Sequence, residues 1–299
     1  MLKPVKLAII PLAGRGTRLY PASSVVPKGL VPLVDTDGIA KAAIQIMVEE
    51  CINSGIEQVA LVVSPGTDKV YRNYFTPISE SELVAYNGKK IALEQSERLS
   101  QLSKQIVYFT QEEPHGFGHA VHCAKSFVSS EPFVVMLGDH VYISDTNTPC
   151  LKQALDVAVE YGQSVFGVHP IPEAIINRFG IVGGQPICAR TYQVEEIIEK
   201  PTIEQARAKL RIENIPEGQY MAHFGIYVFS PTMMNVLDKA VKSHKSGEVQ
   251  LTDGQITLYH QEPCLAYHPC GTSHDFGVPE GLLETQHKLG LKSPFAHLL

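Results

Sequence analysis

The run from Leu7 to Leu33, LAIIPLAGRGTRLYPASSVVPKGLVPL, constrains this chain more than any other stretch. Leu7 to Pro11 is short, apolar and rich in Ile, the pattern of a buried strand. It leads straight into Ala13-Gly14-Arg15-Gly16-Thr17-Arg18. Without a Cβ, Gly14 and Gly16 let the backbone turn tightly and come close to a ligand. Such a turn aims several N–H groups at one point, which suits a polyanion. Arg15 and Arg18 add planar guanidinium forks that match phosphate oxygens, and Pro27-Lys28 brings a flexible point charge toward the same spot. The stretch reads as a phosphate cradle. It is not a dinucleotide fingerprint, because Leu19 stands where the third small residue is needed and Gly29 comes far too late. It is not a P-loop either, since Lys28-Gly29 reverses the Gly-Lys order.

The rest of the chain alternates strands and helices. A helix over 39–54, closed by Gly55, precedes a second buried strand, Gln58 to Val63, and this order implies a parallel pair with a right-handed crossover. A short helix is expected over 69–75 and a solvated one within 83–105. Strands follow at 106–109 and 133–137, with a helix over 119–127 between them. Later strands are expected at 164–168, 192–198 and 221–229, and later helices at 149–161, 232–242, 250–260 and 279–289. This is an α/β chain with a Rossmann-like, mostly parallel central sheet flanked by helices. At 299 residues with 44% apolar content it can bury a large core as a single domain over 1–299. A boundary near residue 145 would separate roles, nucleotide binding in 1–145 and sugar-phosphate binding with the C-terminal helices in 146–299.

A net charge of −6 argues against a general nucleic-acid binder. No apolar run could span a membrane, and no export signal is visible. Six cysteines without C-x-x-C spacing read as free thiols in a reducing cytoplasm.

Ala13-Gly14-x-Gly16-Thr17-Arg18 followed by Pro27-Lys28-x-x-x-Pro32-Leu33 resembles the signature of the nucleoside-triphosphate:sugar-1-phosphate nucleotidyltransferases, and the likeness continues in order to Phe276-Gly277. Within that family the chain looks closest to the bacterial enzymes that join UTP and glucose 1-phosphate. The resemblance implies a role for each matching residue. Ala13, Gly14, Gly16 and Thr17 would line the cradle, Arg18 would hold the leaving phosphates and Lys28 the α-phosphate. Gln111, whose amide both donates and accepts, would meet the imide edge of uracil, with Gly116 and Gly118 letting main chain approach the base. Asp139, just past an apolar strand where open sheets bind ligands, and Asp275 would hold Mg²⁺. Glu199 would accept bonds from sugar hydroxyls, Lys200 would bind the sugar phosphate, and Gly180 would give backbone access to the hexose. Pro201 biases Lys200 toward an extended backbone.

Several positions depart from the family pattern: His140 stands where a second acid is frequent, and Phe276, Val278-Pro279 and Ile226 replace the usual residues. Gly247-Glu248-Val249-Gln250-Leu251-Thr252-Asp253 matches the family almost letter for letter. It reads as a helix start with Thr or Asp as its cap, placed around the site or at a subunit contact. His115, His119 and His122 share a helical face, but no Cys or carboxylate joins them at zinc spacing.

The expected reaction is uridylyl transfer from UTP to a hexose 1-phosphate, glucose foremost, by a homo-oligomer (dimer or tetramer). A phosphate monoester is already mostly a dianion at pH 7, so no general base is expected. Thymidylyl transfer from dTTP is the nearest rival. A catalytically idle nucleotide-sugar sensor would lack Arg18, Lys28, Asp139 or Lys200. A dehydrogenase lacks its fingerprint here, and a kinase lacks a convincing base.

Overall fold

The computed structural model describes residues 2–299. The first half runs β1 (Leu7–Pro11), β2 (Pro32–Val34), β3 (Ala40–Ala42), α1 (Ala43–Asn53), β4 (Gln58–Val63), α2 (Asp68–Tyr74) and α3 (Lys90–Ser103). It continues with β5 (Ile106–Thr110), α4 (Phe117–Cys123), α5 (Lys125–Val128), β6 (Phe133–Met136) and β7 (His140–Ser144). The second half runs α6 (Cys150–Tyr161), β8 (Ser164–Pro172), β9 (Gly180–Cys188), β10 (Thr191–Glu199), α7 (Ile203–Lys209) and β11 (Gln219–Phe229). It ends with α8 (Thr232–Ser243), α9 (Leu251–Tyr259), β12 (Cys264–Tyr267), β13 (Gly271–Asp275) and α10 (Pro279–Lys292).

Nine strands form one sheet in the order β5-β4-β1-β6-β11-β8-β12-β10-β9. β5, β4, β1 and β6 are mutually parallel, and β8 and β12 are parallel to each other. Only β11 and β10 run against the rest, so the sheet is mostly parallel, as the alternation of elements implies. The sheet crosses residue 145 without a break, through the pairing of β6 with β11. At its far end β9 bonds to β10 and also back to β11, curling the sheet on itself.

Both faces are covered. Along β1, Ala8 and Ile10 join a core beneath α1 and α6 that includes Ile44, Met47 and Leu155, while Ile9 joins the opposite core with Val121, Phe133, Met233 and Leu237 from α4, β6 and α8. This is the period of two along a strand, with apolar residues on both sides because helices pack on both.

Three expectations need correction. The helix expected from residue 39 starts at Ala43, because Ala40–Ala42 pair with Pro32–Val34 in a small antiparallel ladder; Gly55, at φ +94°, closes its far end. The helix expected over 119–127 begins two residues earlier and breaks at Ala124, which has φ −92° and ψ +17°. Residues 140–144 and 271–275, not expected as strands, form a two-stranded ladder that sets Asp275 opposite His140. All six cysteines are unpaired, and no described helix is long and apolar enough to cross a membrane.

Candidate active site

The cradle is built where β1 and β6 end side by side. Gly138 follows β6, and a Cβ there would overlap the Pro11 carbonyl, so only glycine permits this approach. Past β1, Gly16 adopts φ +61° and starts a 3₁₀ turn at Thr17–Leu19 that carries Arg18. A further 3₁₀ turn, Lys28–Leu30, follows Pro27. It places Lys28 Nζ 3.5 Å from where a Gly14 Cβ would stand, and 3.1 Å from Asp139 Oδ2. Arg18 reaches the same oxygen at 3.4 Å and Asp275 Oδ2 at 3.7 Å. The fold thus gathers Arg18, Lys28, Asp139 and Asp275 at one point. A cleft of about 720 Å³ opens beside it, lined by Ala13, Gly14, Arg15, Lys28, Gln111, Gly116 and Asp139 among others. Gly16, Thr17 and Gly118 shape its surroundings and do not line it.

The acid pair is held from several sides. Burial by itself would raise the Asp139 carboxyl, but the hydrogen bond from His140 and the Lys28 ammonium outweigh it and hold the group well below the usual carboxylate range. The Phe276 N–H donates to the Asp139 carbonyl at 2.9 Å. The Gly277 N–H donates to Asp275 Oδ1 at 2.7 Å. A Cβ on Gly277 would lie 2.9 Å from Asp275 Oδ1 and 3.0 Å from Asp139 Oδ2. That glycine therefore keeps open the space between the carboxylates. Ligand atoms of Asp139, His140 and Asp275 all lie within 4.8 Å of one another. Two hard carboxylates around a space that only glycine leaves open fit a divalent cation. Sequence reasoning missed Gly277, although its place two residues after Asp275 was a usable signal.

Gln111 is buried at the other end of the cleft. Its Nε2 donates to the Gly116 carbonyl at 3.0 Å and lies 3.0 Å from His119 Nδ1. Burial, then the neighbouring His115, His122 and His244, push the His119 pKa down, so its neutral ring can accept. With His119 Nδ1 accepting, both amide hydrogens have protein partners and Oε1 is the atom left to a ligand. The glycines also make a close contact away from the cleft. A Cβ on Gly116 or Gly118 would stand 2.7 or 2.8 Å from the Val249 carbonyl, and the Gly118 N–H donates to that carbonyl at 2.8 Å. They seat this loop on the Gly247–Asp253 run. No side chain caps α9; Thr252, a cap candidate from the sequence, donates instead to Glu199 Oε2 at 3.0 Å. His115 and His122 pair with Glu113 and Asp238, and no three-residue metal cluster of described residues includes them.

Glu199 and Gly180 are register partners on β10 and β9. Lys200 departs from expectation: it sits at φ +50° rather than extended, its N–H held by the Phe179 carbonyl at 2.9 Å. Its Nζ lies 3.5 Å from Glu199 Oε1. Among the described ion pairs none ties Lys200 to the Arg18–Asp139 group.

A glycine-walled cleft at the carboxyl ends of parallel strands, with Arg18, Lys28, Asp139 and Asp275 gathered beside it, fits a nucleotide-binding transferase. A family model described as Nucleotidyl transferase matches residues 7–290, and the chain belongs to that family. It is 34% identical over 293 residues to a UTP–glucose-1-phosphate uridylyltransferase of Staphylococcus epidermidis, covering 98% of this chain and 95% of that one. It is likewise 34% identical over 295 residues to the UTP–glucose-1-phosphate uridylyltransferase YngB of Bacillus subtilis, covering 98% and 92%. Similar solved structures include a UDP-glucose pyrophosphorylase complexed with UDP-glucose, with TM-score 0.76 and 26% identity over 95% of this chain and 98% of that chain. A UTP-bound UGPase from Acinetobacter baumannii gives TM-score 0.80 and 27% identity over 98% and 97%.

Proposed function

We propose that this protein transfers a uridylyl group from UTP to a hexose 1-phosphate, α-D-glucose 1-phosphate foremost, giving a UDP-sugar and diphosphate. The observation that carries the reading is the meeting of Lys28 and Arg18 with Asp139 and Asp275 at the mouth of the glycine cradle. Relatives of that name over nearly the whole chain support it.

The attacking sugar phosphate is largely a dianion at neutral pH and needs no base. The chain's task is to bring two polyanions together and stabilise charge on the α-phosphorus and the departing diphosphate. Lys28 holds the α-phosphate, Arg18 the leaving phosphates, and Lys200 the incoming phosphate. Arg15, on the cleft wall, adds positive charge. Backbone from Ala13 to Thr17 cradles the triphosphate. Gln111 Oε1 accepts from the N3–H of the base, and Glu199 takes sugar hydroxyls. Asp139 and Asp275 would hold Mg²⁺, which neutralises phosphate charge when bound. His140 fixes the Asp139 carboxylate from outside that set, its Nδ1 2.9 Å from Oδ1. In this reading residues 1–145 serve the nucleotide and 146–299 the sugar phosphate, within one domain.

Thymine shares the N3–H that Gln111 Oε1 would meet, so dTTP is the second donor to test. Unpaired thiols suit a cytoplasmic enzyme, and a dimer or tetramer is the assembly to check by light scattering. Diphosphate release over a grid of nucleotides and sugar 1-phosphates, with and without chelator, tests the proposal. Release with UTP and glucose 1-phosphate that stops with chelator is expected; the absence of release with both UTP and dTTP refutes it.

A further inference from the structure

His223 lies on β11, where the ladder to β8 loses register between His223 and Tyr227 and Gly225 takes φ +96°. Such irregularities bend a strand and re-aim its side chains. Among the described residues His223 is the one histidine whose two ring nitrogens are both buried without a hydrogen-bond partner. Its other neighbours are aromatic: Phe166 at 6.4 Å and Tyr227 at 5.3 Å between ring centres. Buried polar atoms are nearly always paired, and exceptions ask for a reason.

The reason lies across two strands. Ala222 pairs with Ile181 on β9, which brings His223 beside Gly180, and Gly180 pairs with Glu199 on β10. A Cβ on Gly180 would stand 2.7 Å from His223 Cδ2, 2.8 Å from Glu199 Oε2 and 3.3 Å from His223 Nε2. Imidazole and carboxylate thus both close on the Gly180 main chain, an approach that only a missing side chain permits. Burial pushes the His223 pKa down to about 4, so at neutral pH the ring offers one donor and one acceptor. A half-turn of the ring exchanges Cδ2 for Nδ1, so either nitrogen can face that side.

We propose that His223 is a specificity-determining residue that hydrogen-bonds a sugar hydroxyl adjacent to the one taken by Glu199. The inference rests on the sugar-phosphate reading of this site. It deepens that reading by assigning the acceptor a class: a hexose 1-phosphate with two neighbouring free hydroxyls. A carboxylate can only accept, so by itself it selects a hydroxyl donor. The imidazole adds a donor and makes the second hydroxyl obligatory, because a sugar lacking it leaves buried polar atoms unpaired.

The test compares glucose 1-phosphate with its monodeoxy analogues in the wild-type enzyme, in His223→Phe, which keeps the ring and removes both nitrogens, and in His223→Gln, which keeps a donor and an acceptor. Wild type is expected to disfavour the analogue lacking the hydroxyl read by His223 by roughly a hundredfold in kcat/KM. His223→Phe should lose most of that ratio for this analogue alone, with the KM for UTP within about twofold of wild type, and His223→Gln should restore part of it. If His223→Phe does not fold, His223→Leu, which also removes both nitrogens, takes its place. Active wild type that turns over every deoxy analogue equally overturns the role of His223, as does a nitrogen-free variant with unchanged selectivity. Wild type inactive on every hexose ester refutes the sugar-phosphate reading itself, and the role of His223 with it.

Discussion

Gly277→Ala is a single methyl group placed between the two acids. The new Cβ would stand 2.9 Å from Asp275 Oδ1, 3.0 Å from Asp139 Oδ2 and 3.1 Å from Asp139 Cβ, where ordinary contacts begin at 3.4 Å. Asp139 cannot yield easily, since Lys28 at 3.1 Å and His140 at 2.9 Å hold it. Asp275 is more exposed, with 33% of its side chain accessible against 14% for Asp139, and it takes the displacement. A carboxylate oxygen moves by about half an ångström; misplacement by 1 Å can cost about a hundredfold. The expected loss in kcat/KM is therefore roughly tenfold or somewhat more, equivalent to about 1.4 kcal/mol at tenfold. Gly277 is not in the left-handed region, so alanine adds no backbone strain and the melting temperature should move little. Diphosphate release measured across a Mg²⁺ titration is the assay, with half-activity expected at higher Mg²⁺ in the variant. Unchanged kcat/KM and an unchanged Mg²⁺ curve would show that this glycine does not space the acids.

Other outcomes follow from the same geometry. Lys28→Ala should lower kcat/KM by more than about a hundredfold and also lower the melting temperature, because the largely buried Asp139 carboxylate loses one of its partners; near-normal turnover would remove the α-phosphate role given to Lys28. Glu50, whose Oε1 accepts the Leu151 N–H at 2.8 Å, has its pKa raised by burial from 4.5 to about 7. Its folded pKa is the higher one, so its protonated form supports the fold fully below about pH 4.5, and that support is lost as pH rises through 7. Glu50→Gln should therefore gain stability relative to wild type between pH 4.5 and 8, by up to roughly 3 kcal/mol; a pH-independent difference in denaturant titrations would contradict this. Burial also depresses His169, His223 and His268 to about 4. Here the unfolded chain binds protons first, so stability should fall as the pH drops from about 6.5 toward 4, and a flat stability profile there would count against neutral buried rings.

What could be read in the sequence was local. The cradle is contiguous, and its glycines, arginines and Pro27-Lys28 carry their chemistry wherever the chain goes. Asp139 was legible because an apolar strand points at it. The ladder joining β7 to β13 was not: its residues mix polar and apolar types, and only pairing across the chain sets Asp275 opposite His140. The same holds for Gly277 and His223, whose roles lie in what stands across from them. Gln111 was found, but not the His119 and Gly116 contacts that fix its amide. Lys200 was read through Pro201 as extended, yet its N–H bond to the Phe179 carbonyl accompanies φ +50°, so tertiary pairing overrode a local preference.

The central claim is that residues around the cradle hold the nucleotide so that the sugar ester attacks the α-phosphorus. The direct measurement is the fate of UTP labelled either at the α- or the γ-phosphate, turned over with glucose 1-phosphate. All α-label is expected in the UDP-sugar and all γ-label in diphosphate. Label from the γ-position in a sugar bisphosphate or in inorganic monophosphate would contradict attack at the α-phosphorus and with it the roles given to Lys28 and Arg18.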